Sequence, residues 1–94
     1  MGASSLKRFL GSYPETHNFI RFLLTYDKSE WTSVDLQRDY PAYKVENAAR
    51  LIAKLRDANI IRRGDYTIPA NTRGKRYPLW RLNDRYKLEE YFQS

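Results

Sequence analysis

The chain is 94 residues long, the size of one domain, and with 41% hydrophobic and 15% aromatic residues it can build a small core without covalent staples. It has no cysteine and a single histidine, His17, which excludes disulfides, thiolate nucleophiles and Cys/His zinc sites. Its 17 basic residues outnumber 11 acidic ones for a net charge of +6, a balance that suits a polyanionic partner.

In chain order, residues 1–11 read as a flexible or short amphipathic segment carrying Leu6, Phe9 and Leu10, and the ordered domain is expected over residues 12–94. Ser12-Tyr13-Pro14-Glu15 has the spacing of a capping box with proline in the first turn, so a first helix is predicted from there to about Asp27, its apolar face built on Phe19, Ile20, Leu23 and Leu24. Trp31-Thr32 favours extended backbone. Ser33 can then cap a second, short helix that must end near Tyr40, because Pro41 disfavours helical geometry in the residue before it.

After a turn at Pro41-Ala42, a third helix is predicted over residues 43–58, with Val45, Ala48, Ile52 and Leu55 as its buried stripe. Asn59 suits a left-handed helix end. Residues 60–68 and 77–82 favour strand and should pair as a hairpin around the loop 69–76, which holds three cations. Asn83 or Asp84 can cap a last helix through Phe92.

No apolar run exceeds three residues, far below the roughly 20 that a spanning helix needs, so no membrane partner is expected. The opening residues show no secretion or myristoylation signal, and the absence of cysteine suits a reducing compartment. A cytoplasmic location is the expectation. The charge is concentrated: residues 43–81 hold ten basic residues against three acidic, an excess of seven, whereas the remainder holds seven against eight. A charge run is ordinarily a solvated face, so the architecture around it has to decide its meaning.

The order of predicted elements is helix, short extended segment, helix, turn, helix, strand, basic loop, strand, helix. Within it, the run from Val45 through Leu51, Leu55, Asn59, Ile60 and Ile61 to Arg63 resembles the recognition helix and first wing strand of bacterial and archaeal regulators, and Gly74-Lys75-Arg76-Tyr77-Pro78-Leu79-Trp80-Arg81-Leu82 resembles the basic wing tip and its returning strand. The chain thus resembles the winged helix-turn-helix superfamily, with Asn59 where those regulators often carry glycine. The resemblance implies an α+β, mostly helical fold, with a three-helix core, a two-stranded β-hairpin wing and a C-terminal helix. It also implies a duplex DNA-binding transcription regulator residing on the nucleoid.

On the third helix, Asn47, Arg50 and Lys54 share the face opposite the buried stripe, with Tyr43 and Lys44 at its start. Asn can bond both N6 and N7 of adenine, and Arg both O6 and N7 of guanine, which makes Asn47 and Arg50 candidate base readers. Lys54 and Ser33 are candidate phosphate contacts. Arg73, Lys75 and Arg76 on the hairpin tip suit the backbone or a narrow minor groove. Arg62, Arg63 and Arg81 rank behind them, because alternation turns some strand residues away from a duplex.

Three other readings stand beside this one. Winged helices also serve as protein-contact modules or assembly subunits, since fold does not fix function. The many tyrosines could stack on single-stranded bases, although most suit a core. Tyr86, Leu88, Tyr91 and Phe92, with the N-terminal segment, suit either internal packing or a second copy of the chain. No cofactor is expected, Asp35 and Asp39 at i, i+4 suit a helix dipole better than a metal, and no nucleotide-binding or hydrolase motif is present, so an enzyme is not expected.

Overall fold

The computed structural model describes residues 3–93. Five helices and one two-stranded antiparallel sheet make an α+β domain: α1 (Ala3–Ser12), a 3-10 turn (Pro14–Thr16), α2 (His17–Thr25), α3 (Ser33–Asp39), α4 (Ala48–Asp57), β1 (Ile61–Thr67), β2 (Tyr77–Leu82) and α5 (Arg85–Gln93).

The N-terminal part is more ordered than its composition suggests. Leu6 and Leu10, one helical turn apart, are both buried, and α1 runs on to Ser12. Ser12 is therefore a helical residue and not the cap of the next helix. Its capping box does not form, and the predicted first helix begins as a 3-10 turn on Pro14 before α2 starts at His17. Residues 1–2 of the predicted N-terminal segment lie outside the described residues.

The capping box is built two elements later. Thr32, not Ser33, caps α3: its hydroxyl accepts from the Asp35 N–H at 3.2 Å, and the Asp35 carboxylate accepts from the Thr32 N–H at 2.9 Å. Two orphan donors of the helix start are satisfied reciprocally, which the buried position of Thr32 requires. Lys28 and Arg38 flank Asp35 at 3.1 and 3.2 Å.

The third helix is shorter than its periodicity predicts. Residues 41–47 form consecutive turns, and α4 starts only at Ala48 because Asn47 adopts left-handed backbone at φ 52°, a conformation that interrupts a helix but that asparagine tolerates. Val45 consequently leaves the predicted stripe and is 88% exposed. Ala48, Leu51, Ile52 and Leu55 form the buried face instead. At the other end Asn59 is left-handed at φ 59°, and the chain passes directly through buried Ile60 into β1.

The hairpin pairs Ile61 with Leu82, Arg62 with Arg81 and Arg63 with Trp80, is offset by a bulge at residues 64–65, and resumes with Tyr66 opposite Pro78 and Thr67 opposite Tyr77. On its other edge, β2 bridges to Trp31: the Trp31 N–H donates to the Trp80 carbonyl at 3.0 Å and the Trp80 N–H to the Trp31 carbonyl at 2.7 Å. Both indoles are buried, and Phe19 of α2 meets Trp31 edge-on. In this way the hairpin is anchored to a core made by α2, α3, α4 and the two tryptophans.

The α5 helix starts with the Asp84 carboxylate accepting the Lys87 N–H at 3.1 Å. It buries Leu88 and packs Tyr91 and Phe92 around His17. Of the terminal apolar group that suits a second copy, only Tyr86 stands well clear of the body, at 73% exposure. Among the described residues, no helix is long and apolar enough to cross a membrane.

Partial burial works to raise the Asp35 pKa, but the Thr32 N–H bond, Lys28 and Arg38 outweigh it and hold it below the ordinary value. Hydrogen bonds from Arg38 and Tyr26 hold Asp39 well below the usual carboxylate range. Groups whose folded pKa is depressed stabilise the fold above the unfolded value of about 4, and that contribution is lost as pH falls through the folded value. Urea unfolding followed by tryptophan fluorescence should therefore show stability decreasing from about pH 5 to about pH 2, with a shallower decrease in Asp35→Asn. Thr32→Ala should cost about 1 kcal/mol at neutral pH through loss of the cap.

Candidate nucleic-acid interface

The residues named from sequence come from four places in the fold. Tyr43 and Lys44 lie on the turns of residues 41–47 rather than on a helix. Tyr43 packs against the core and so serves the fold, whereas Lys44 is exposed. Those turns are clamped from within: the Tyr40 hydroxyl donates to the Glu46 carboxylate, which also accepts from the Asn18 amide at 3.4 Å. Burial, with the Glu46 bond behind it, pushes the Tyr40 phenol above its ordinary range and keeps it a proton donor. Glu46, a charge that would repel phosphate, is thereby half-buried and turned toward Tyr40 and Asn18.

Asn47 sits at the α4 N-cap with its amide making no capping bond, and it is exposed. One turn on, Arg50 is exposed and has no ion pair among the described residues. Lys54 lies on the same side of α4 as Arg50, but it is engaged within the protein. Its ammonium lies 4.3 Å from the Tyr13 ring centre and 3.5 Å from the Glu15 carboxylate, because α1 and the turn after it lie alongside α4, which the sequence periodicity of α4 could not show. An open groove of about 440 Å³ remains there, lined by Phe9, Tyr13, Arg50, Ala53, Lys54 and Asp57.

Ser33 is half-buried at the first position of α3. The N–H groups expected to meet a phosphate there are partly occupied, since the Asp35 carboxylate already accepts the Thr32 N–H. A phosphate oxygen would have to compete with an existing negative charge.

The hairpin carries the clearest electrostatic feature. Between Ile61 and Leu82 stand six basic residues and one acidic residue, Asp65. Among the described residues the ion pairs involve Lys28, Arg38, Lys54, Arg56, Arg85 and Lys87, and none involves a hairpin cation. Arg63 stacks on Tyr66 and donates to its hydroxyl at 3.0 Å. Lys75 lies 5.5 Å from the Tyr77 ring centre. At the tip, Asn71, Arg73 and Gly74 all adopt positive φ, and the Thr72 hydroxyl donates to the Pro69 carbonyl at 2.6 Å. This compact turn leaves Arg73, Lys75 and Arg76 exposed.

Elsewhere, the described residues contain no group of three or more His, Cys, Asp or Glu side chains arranged to hold a metal. His17 bonds the Leu10 carbonyl at 2.7 Å and meets the Tyr91 and Phe92 rings edge-on, a structural role. No protein-family model matches the chain, and comparisons with curated proteins and with solved structures likewise find no match.

The two roles assigned to Asn47 are separable. A residue with Cβ but no short polar side chain pays about 1–2 kcal/mol in left-handed backbone, so Asn47→Ala should destabilise the fold by about that amount. Asn47→Gly should keep it within a few tenths of a kcal/mol. Chemical denaturation of the two variants checks this, and the glycine form then reports on the amide alone in binding measurements.

Proposed function

We propose that the chain is a winged helix-turn-helix domain that binds duplex DNA as a transcription regulator, with α4 entering the major groove and the loop of residues 69–76 on the backbone or minor groove. The observation that carries this reading is the hairpin of six cations with no ion pair among the described residues. Cations left without a carboxylate partner are available to neutralise phosphates, and their counterion release supplies affinity. The order of elements, with Trp31 bridging β2 ahead of α3 and α4, supports the superfamily assignment.

Base reading falls to Asn47 and Arg50, the two members of the predicted face that remain exposed and uncommitted. Arg73, Lys75 and Arg76 supply phosphate contacts that fix position without reading sequence. Val45, with 88% of its surface exposed beside Lys44, favours the second reading, a winged helix that docks on another protein. The two readings differ in how they respond to salt.

Titration of short random duplexes should show affinity falling on the order of a thousandfold between 50 and 200 mM salt if about six phosphates are met. No binding at micromolar protein, or a response indifferent to salt, would instead favour the protein-contact reading. Lys75→Ala should weaken all duplexes alike and lower the salt slope by about one, whereas Arg50→Ala should change discrimination between sequences by roughly 1–3 kcal/mol. Selection from a random duplex pool with both variants measures this division of roles.

A further inference from the structure

Arg62 of β1 stands directly opposite Arg81 of β2 in the antiparallel ladder. Directly opposed residues hold their Cβ atoms about 4.5–5.5 Å apart on one face of the sheet, where like charges destabilise the pair. That face looks to solvent: Ile61 and Trp80, the ladder neighbours of Arg62 and Arg81, are buried on the other side, and both arginines are exposed. Neither forms an ion pair among the described residues. Glu30 also reaches the hairpin, but its carboxylate lies against Gly64, where a Cβ would sit 3.2 Å from it, and it pairs with neither arginine. Along β2, alternation places Leu79 and Tyr77, both half-buried, on the same side of the strand as Arg81, and Lys75 lies over the Tyr77 ring.

We propose that Arg62 and Arg81 together form a two-pronged site for a single phosphate group, supplied by the sugar-phosphate backbone of a bound duplex. The proposal rests on the duplex-DNA reading and extends its contact surface from the loop tip onto the strands. A guanidinium offers a planar fork of donors matched to phosphate oxygens. Two forks on opposed strands can grip one group from both sides. The bound anion also cancels the cross-strand repulsion, so ligand occupancy and hairpin stability are coupled.

This coupling sets binding and stability changes in opposite directions. In the free protein, Arg62→Gln with Arg81→Gln removes the opposed charges and should raise the thermal unfolding midpoint. The same double variant should bind duplex about eightfold more weakly at 0.1 M salt, with a salt slope lower by about one. Either single variant should show an intermediate loss, and the two losses should not add, because one phosphate is shared.

Unchanged duplex affinity in the double variant, while the parent binds duplex, overturns the site and leaves the DNA reading intact. A lowered unfolding midpoint overturns it as well, since the opposed arginines would then stabilise the free hairpin instead of straining it. If the parent binds no duplex, inorganic phosphate against chloride at matched ionic strength decides. A midpoint raised by phosphate in the parent only assigns the site to a free phosphate group and defeats the duplex as its source, and no rise in either protein defeats the site altogether.

Discussion

The backbone bridge between Trp31 and Trp80 is the contact on which the remaining architecture depends. An isolated two-stranded hairpin is marginal in water, and this one is rich in like charges that oppose its formation. Two backbone hydrogen bonds tie β2 to the segment before α3, while the two indoles sink into the core, Trp31 against Phe19 of α2. Removal of that aromatic anchor would leave the cations on a ribbon with no reason to stay folded. Hydrophobic burial at one end of the hairpin therefore holds charge in place at the other.

The same division runs through the whole charge distribution. Most acidic residues are committed within the helical part or to its own cations: Asp35 to the α3 cap with Lys28 and Arg38, Asp39 to Tyr26 and Arg38, Glu46 to Tyr40, and Glu15 to Lys54. Exposed pairs of this kind contribute little to stability individually, but they neutralise one half of the molecule and leave the excess positive charge on the hairpin and at the start of α4. Net positive charge is thereby concentrated on particular elements instead of being spread evenly over the surface.

The element types were legible because each rests on local chemistry. The β-branched and aromatic runs at residues 61–67 and 77–82, the proline that ends α3 at Tyr40, and Asn59 in left-handed backbone all act within a few residues of themselves. The boundaries were less legible. Ser12-x-x-Glu15 and Thr32-x-x-Asp35 have the same spacing, and only the packing of Leu6 and Leu10 decides that α1 consumes Ser12 while Thr32 is free to cap. At Asn47 the 3.6-residue period of apolar positions continues without interruption in the sequence, yet the backbone turns left-handed and places Val45 in solvent.

For the candidate interface, composition alone located the positive excess in residues 43–81, since charge is a property of residue type and survives any fold. Which cations remain available was decided by tertiary structure. Lys54 is taken by Tyr13 and Glu15 across a helix contact, and Arg62 is set opposite Arg81 by a ladder register that includes a two-residue bulge. Pairing of this kind depends on which surfaces meet in space, and a linear pattern carries no record of a contact between elements until the core has fixed how they lie.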